Sequence, residues 1–263
     1  MTGPTAYLEL NEVLRELVSS VQAILGENFC GAYLQGSFAV GDADEHSDVD
    51  FIVVTHDEVS EQQVAALQAM HERLYELEPH WAQHLEGSYF PKKLLRRVDP
   101  ARTPLVYFDN GSTVPERDNH CNTAVVRWSL RERGIVLAGP EPKRLIDPVD
   151  PSDLRSDVRE AMVEFAAWAP GPTKAGGMSR WKQPYLVLNL CRMLHTLETG
   201  EVTSKRAGGE WALRALDSEW TELIERALDD RADPWKRVYQ PADPQDAERT
   251  LAFVEYSLEA LVR

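Results

Sequence analysis

Apolar residues in the first part of the chain alternate between helical and strand-like spacing. A spacing of three to four residues predicts an amphipathic helix over 6–25, with Gly26 at its C-terminal end. Further helices are predicted over 59–77 and over 122–133, the latter ended by Gly134. Short β-prone apolar runs predict strands over 31–34, 50–55, 83–89, 105–108 and 135–137. This order predicts a mixed sheet with flanking helices.

The second part of the chain carries helical patterns alone. Prolines at 140, 142, 148 and 151 mark a boundary, so we predict domains at 1–150 and 151–263. A stripe of Val158, Met162 and Phe165 begins the helical region, and an apolar helix is predicted over 183–199, ended by Gly200. Further helices are predicted over 208–216, 219–228 and 245–261. The fold class is therefore α+β: a sheet domain plus an α-helical bundle, with the cleft between them as the expected ligand site.

Charge and composition narrow the class of partner. The chain has 263 residues and a formal net charge of -15, which disfavours nucleic acid and suits either a cationic small molecule or solubility alone. Cys30, Cys121 and Cys191 are an odd set without CxxC spacing, which argues against disulfides and a zinc site. Without a long apolar run or a signal-peptide pattern, we expect a cytoplasmic monomer with no membrane partner.

A polar loop between the first two predicted strands carries candidate phosphate and metal ligands. Gly36 removes a side chain where a phosphate must approach, and Ser37 offers a hydroxyl at a predicted helix start. Ser47 could bind phosphate or cap the loop. Asp48 and Asp50 are two residues apart, so on a strand they face one side, where two carboxylates suit Mg²⁺. A solvated acidic turn is the alternative.

Candidates outside this loop are an acid and two cations. Glu86 lies in the predicted strand 83–89, where it could bind the same metal, take a proton from an acceptor, or be an exposed strand residue. Arg192 lies within an otherwise apolar helix, so it needs a carboxylate or an anion such as a triphosphate. Lys205 follows Gly200 and is predicted to lie in a loop, while His46 and His120 are interpreted as structural or surface residues.

The segment GSFAVGDADEHSDVD resembles the signature of the polymerase-β-like nucleotidyltransferases. Over nearly its full length the chain is similar to the aminoglycoside adenylyltransferases that modify streptomycin and spectinomycin. The segments GIVLAGPEPKRLIDPVDPSDL, VLNLCRMLHTLETGEV and TSKRAGGEWAL fall in that family's order. The resemblance implies ATP as co-substrate and two Mg²⁺ ions.

The resemblance also implies a role for each matching residue. Ser37 and Ser47 would bind the ATP phosphates, with Gly36 beside them, and Asp48 and Asp50 would bind the metal ions. Glu86 would be the general base and a further metal ligand. Arg192 and Lys205 would hold the triphosphate, and Tyr239 would lie near the nucleotide.

The acceptor region departs from the family pattern. Streptomycin-modifying members have a tryptophan after the Glu86 region and an acid about ten residues before the arginine; here Lys182 stands in place of the acid. A lysine there disfavours a guanidinium, so a spectinomycin-like acceptor is favoured over streptomycin. We therefore predict AMP transfer from ATP to a hydroxyl of a small acceptor. The alternatives are AMP transfer to a protein, as in antitoxin-like nucleotidyltransferases, and nucleotide binding without turnover.

Overall fold

The computed structural model describes residues 3–173, 175–230 and 234–261. The chain divides into two compact units, Met1–Val149 and Asp150–Arg263. The first contains a six-stranded sheet, and the second consists of helices and loops in its described residues.

The sheet of the first unit is mixed. Its strands are β1 (Phe29–Leu34), β2 (Val49–Thr55), β3 (Leu85–Pro91), β4 (Leu105–Phe108), β5 (Glu116–Asp118) and β6 (Ile135–Ala138). Their order in the sheet is β5-β4-β3-β2-β1-β6. Strands β2 and β3 run parallel, whereas the other neighbouring pairs are antiparallel. The parallel pair sets Asp50 opposite Glu86, which confirms that the strand of Glu86 neighbours the strand of the aspartates.

The helices of the first unit are α1 (Leu8–Leu25), α2 (Gly36–Val40), α3 (Glu61–Tyr75), α4 (Lys92–Leu95) and α5 (Ala124–Arg133). Helices α1 and α3 supply Leu10, Leu14, Leu17 and Leu67 to an apolar core that also takes Phe51 and Val53 from β2. Leu130 of α5 joins a second core with Ile52 and Val54. Because successive strand residues point to opposite faces, β2 contributes side chains to both cores. This packing on both faces holds the start of β2, where Asp50 lies, in a fixed position.

The second unit is built around one buried helix. Its helices are α6 (Pro151–Trp168), α7 (Lys182–Thr199), α8 (Lys205–Ala215), α9 (Thr221–Asp229), α10 (Pro234–Arg237) and α11 (Pro244–Glu259). Helix α7 buries most of its residues, as its apolar sequence predicts, and ends at Gly200 in a left-handed conformation with φ of 73°. No helix among the described residues is long and apolar enough to cross a membrane.

Several sequence-based boundaries are wrong in informative ways. Lys205 does not lie in a loop: it is the first residue of α8, because the Ser204 side chain accepts a hydrogen bond from the Ala207 N–H and caps the helix. Residues 80–84 form a 3-10 turn before β3, so His84 lies outside the strand. The edge strand β5 was missed because its three residues, Glu-Arg-Asp, carry no apolar pattern.

Candidate active site

Gly36, the first residue of α2, packs directly against Asp50. Gly36 has φ of +58°, a left-handed conformation that favours glycine, and a Cβ atom there would lie 1.8 Å from Asp50 Oδ2. The backbone N–H of Gln35 donates to the Asp50 carbonyl at 2.9 Å. The Gly-Ser turn therefore packs directly against the Asp50 carboxylate, a contact that the loop sequence did not predict.

The serines of the loop behave differently from each other. Ser37 Oγ is buried and makes no hydrogen bond to another described residue, so it is a polar atom that a phosphate oxygen would satisfy. Ser47 Oγ instead accepts from the Asp44 N–H at 2.9 Å and closes a turn. Of the two readings of Ser47, the structure contains the loop cap. Phosphate binding by either serine stays a prediction.

Asp48 comes just before β2 and is held by an amide. Asn110 Nδ2 donates to Asp48 Oδ1 at 3.0 Å. The oxygen of the same amide accepts from His84 Nδ1 at 3.2 Å. Burial lowers the pKa of His84, which keeps the ring neutral at physiological pH. The chain His84–Asn110–Asp48 thus fixes one oxygen of the first aspartate.

Glu86 contacts one side chain from β4 and one from the segment that follows β5. The Tyr107 hydroxyl lies 2.8 Å from Glu86 Oε1 and 2.9 Å from Asp109 Oδ1. His120 Nε2 lies 3.6 Å from the same Glu86 oxygen, and its Nδ1 lies 2.6 Å from Asp118 Oδ1. Burial raises the pKa of Tyr107, and the two carboxylates raise it further, so the phenol stays protonated and donates.

The neighbours of His120 raise the pKa of its imidazole. Burial disfavours the charged ring, but interactions with Cys121, Glu86 and Asp118 outweigh it and raise the pKa of His120 to about 11. His120 is exposed, which agrees with its interpretation as a surface residue, but its contact with Glu86 was not predicted. Tyr107, Asp109, Asn110 and Asp118 were also missed as neighbours of the acids.

Among the described residues, no group of three or more His, Cys, Asp or Glu side chains is arranged to hold a metal ion. The donor chemistry nevertheless fits magnesium, because Mg²⁺ is usually bound by one or two carboxylates together with substrate phosphates. Asp50 lies against the Gly-Ser turn, and Asp48 stands two residues before it in the chain, so the two are the candidate pair. Glu86 as a third ligand stays a prediction.

In the second unit, the predicted triphosphate ligands lie on the α7–α8 pair. Arg192 is half-buried on α7, and its backbone touches Gly208 of α8, where a Cβ would lie 2.8 Å from Arg192 Cα. Lys205 Nζ lies 4.9 Å from the centre of the Tyr185 ring. Tyr239 is 67% exposed in the turn before Gln240. Their contact with a nucleotide stays a prediction.

Lys182 has a structural role within the second unit. Its side chain is fully buried, and Nζ donates to the carbonyl oxygens of Trp168 at 2.9 Å and Gly171 at 2.8 Å. The ammonium also lies 4.1 Å from the centre of the Trp168 ring. Its charge is therefore engaged by backbone carbonyls and an aromatic face. Whether it disfavours a guanidinium stays a prediction.

Comparisons with known families agree with this architecture. Residues 14–103 match the family model of the nucleotidyltransferase domain, and residues 144–259 match that of the C-terminal domain of aminoglycoside adenylyltransferase. The fold and the acidic site thus define a nucleotidyltransferase. Together with the named relatives described below, the two matched segments show an adenylyltransferase that is similar to the aminoglycoside adenylyltransferases, as the sequence resemblance predicts.

Individual relatives are distant but cover most of the chain. A spectinomycin 9-adenylyltransferase of Staphylococcus aureus is 24% identical, over 83% of this chain and 85% of the relative. That of Campylobacter jejuni is 22% identical over 97% and 98%. An aminoglycoside (3'') (9) adenylyltransferase of Shigella flexneri is 25% identical over 82% and 83%.

A solved structure shares the fold. The crystal structure of spectinomycin adenyltransferase AAD(9) from Enterococcus faecialis, with ATP and spectinomycin, superimposes with a TM-score of 0.71. It is 15% identical, and the match covers 94% of this chain and 98% of that chain. The predicted fold class is confirmed.

Proposed function

We propose that this enzyme transfers AMP from MgATP to a hydroxyl group of a spectinomycin-like aminocyclitol. The observation that carries the proposal is the fit of the Gly36 turn over Asp50, with Glu86 opposite Asp50 on the parallel neighbouring strand. Relatives and a structural neighbour that carry spectinomycin in their names supply the acceptor class.

The acids and the loop have separate roles in the reaction. Asp48 and Asp50 would hold Mg²⁺, which neutralises charge on the phosphates and the leaving group when bound. Ser37 Oγ, a buried hydroxyl that makes no hydrogen bond to the described residues, would donate to a phosphate oxygen. Arg192 and Lys205 would bind the triphosphate, and Tyr239 would contact the nucleotide.

Glu86 would act as general base. It accepts the proton of the acceptor hydroxyl while that oxygen forms a bond to the α-phosphorus of ATP. The bond from the α-phosphorus to the bridging oxygen breaks in line, and pyrophosphate leaves. The products are the AMP ester of the acceptor, pyrophosphate and the proton on Glu86, which passes to solvent.

A panel of acceptors tests the substrate class. Pyrophosphate release would be measured with MgATP and, in turn, spectinomycin, streptomycin and deoxystreptamine-type drugs. We expect release with spectinomycin above all others. Release with streptomycin at an equal rate would contradict the acceptor assignment, and labelling of lysate proteins by [α-³²P]ATP without release on any drug would favour a protein acceptor.

A further inference from the structure

One hydroxyl group links the candidate base to a second carboxylate. Tyr107 Oη lies 2.8 Å from Glu86 Oε1 and 2.9 Å from Asp109 Oδ1. A phenol has one proton, so this hydroxyl donates to one of the two carboxylates at a time while it stands within hydrogen-bond distance of both. The residue is 5% exposed, which fixes its ring within the second apolar core of the sheet.

Strand register explains how Tyr107 reaches Glu86. Strands β3 and β4 are antiparallel, with Gly87 opposite Phe108 and Ser88 opposite Tyr107. Ser88 and Glu86 are two residues apart on β3, so Tyr107, which is paired with Ser88, points to the face that carries Glu86. Asp109 follows β4 directly, and its carboxylate reaches the same hydroxyl. The hydroxyl therefore approaches the carboxylate diagonally across two rigid strands.

His120 contacts the same oxygen from another direction. Its Nε2 lies 3.6 Å from Glu86 Oε1, and its ring packs edge-to-face on Tyr107 at 4.2 Å between centres. Asp118 fixes the opposite ring nitrogen at 2.6 Å. Both contacts fall on Glu86 Oε1, and neither involves Oε2.

We propose that Tyr107 is a positioning residue for the base: its hydroxyl holds Glu86 Oε1 so that Oε2 faces the acceptor hydroxyl. The inference rests on the proposed function, in which Glu86 removes the proton. The donor and the carboxylate both lie on packed strands, so their hydrogen bond restricts the orientation of the carboxylate more than hydrogen bonds to solvent would. Loss of the hydroxyl should then slow the chemical step and leave substrate binding unchanged.

The test compares two buried tyrosines of the same core. Tyr107→Phe removes only the hydroxyl under study, whereas Tyr33→Phe removes a hydroxyl that donates to the Pro140 carbonyl at 2.7 Å. We expect kcat for AMP transfer to spectinomycin to fall about 10- to 100-fold in Tyr107→Phe, with KM for both substrates within about twofold. Tyr33→Phe should keep kcat even if it lowers stability.

Two further measurements separate this inference from the proposed function. Glu86→Gln should reduce transfer to a small residual rate, and adding Tyr107→Phe to it should not lower that residual rate further, because the hydroxyl acts through Glu86. Full activity of Glu86→Gln would contradict the proposed function itself. Crystal structures of wild type and Tyr107→Phe give a readout that needs no acceptor, and we expect the Glu86 carboxylate to turn away from the ring in the variant.

Either of two results overturns the inference. One is a wild-type kcat in Tyr107→Phe together with a Glu86→Gln variant that is reduced to its small residual rate. The other is an unmoved Glu86 carboxylate in the crystal structure of Tyr107→Phe, which decides the question even if no drug is adenylylated.

Discussion

The conformation of the Gly-Ser turn depends most on Gly36. Its left-handed backbone and its contact with Asp50 are two independent reasons for glycine, and they can be separated by experiment. Gly41 shares the first reason, with φ of +74°, but a Cβ there would meet nothing within 4 Å.

We predict that Gly36→Ala loses AMP transfer by at least about 100-fold, because the new Cβ displaces the Asp50 carboxylate. Gly41→Ala is the control: it incurs a similar backbone strain of about 1 kcal/mol but leaves Asp50 in place. Initial rates and thermal unfolding would be measured for both. Equal losses of rate in the two variants would show that strain, and not the contact with Asp50, causes the defect.

We expect Asp99 to make the free energy of unfolding decrease as the pH falls into the acid range. Burial raises its pKa, but hydrogen bonds from Thr103, Asn122 and Ala101 outweigh that effect and lower the pKa to about 2. A carboxyl whose folded pKa is depressed stabilises the protein above the unfolded pKa of about 4 and loses that stabilisation as pH falls to about 2.

Asp99→Asn should therefore lower the free energy of unfolding at pH 7 by roughly 1–2 kcal/mol, after allowance for solvent screening. The difference from wild type should shrink between pH 4 and pH 2. Urea unfolding across that range measures it. A constant difference at every pH would mean that charge on Asp99 contributes nothing.

Individual residues of the site could be predicted only where a polar side chain stands next to an apolar run that predicts a strand. Asp48, Asp50 and Glu86 stand next to apolar runs, so the strand pattern places them. Tyr107 and His120 could not be found in this way, because their contact with Glu86 depends on the register of β4 and on the polar strand β5. The one available signal was Tyr-x-Asp at 107–109, which predicts two polar groups on one strand face.

The α7–α8 pair is the element that carries the predicted triphosphate ligands. Gly208 allows the two helices to touch, since a Cβ there would lie 2.8 Å from the backbone N and Cα of Arg192. The adjacent Gly209 would meet only side-chain carbons of Leu228 and Leu188, at 3.0 and 3.1 Å. The two glycines thus form a matched pair on one helix.

We predict that Gly208→Ala raises KM for ATP by about tenfold or more, because α8 must move away from α7 and carries Lys205 with it. Gly209→Ala should leave KM within about twofold, since leucine side chains can adjust. Steady-state kinetics with varied ATP measures both. An unchanged KM in Gly208→Ala would argue against triphosphate binding by this helix pair.

Lys182 could be present because it stabilises the second unit or because it selects the acceptor, and one substitution separates these two roles. Lys182→Met should lower the free energy of unfolding by roughly 1–3 kcal/mol, because two carbonyls lose their buried donor. Urea denaturation measures this loss. If the variant is as stable as wild type, the buried contacts of Lys182 do not stabilise the fold. A gain of activity on streptomycin would instead support the prediction that Lys182 disfavours acceptors with guanidinium groups.

Helix α8 also shows where sequence reasoning fails for an element. The two glycines and the polar start of Lys205–Ala215 hide the helical pattern, so its first turn was assigned to a loop. Ser204 as N-cap was the available signal. By contrast, α7 was predicted almost residue for residue, because its apolar run and the terminal Gly200 agree.

For the whole molecule, the α+β class follows from the change of pattern near the proline-rich stretch, and the first compact unit ends in the chain at Val149, with the second beginning at Asp150. The mixed sheet order could not be derived from the chain, because strand pairing is set by contacts between distant residues. The parallel β2–β3 pair nevertheless gives the first unit its central feature, because it sets Asp50, which lies against the Gly36 turn, opposite Glu86.

The most direct test of this account is the initial rate of AMP transfer from [α-³²P]ATP to spectinomycin with magnesium, for wild type and Asp48→Ala. We predict that wild type forms the labelled ester and releases pyrophosphate in equal amounts. Asp48→Ala should be slower by roughly 10²–10⁴-fold. Near wild-type transfer by Asp48→Ala would contradict the central claim that this acidic turn is the catalytic centre.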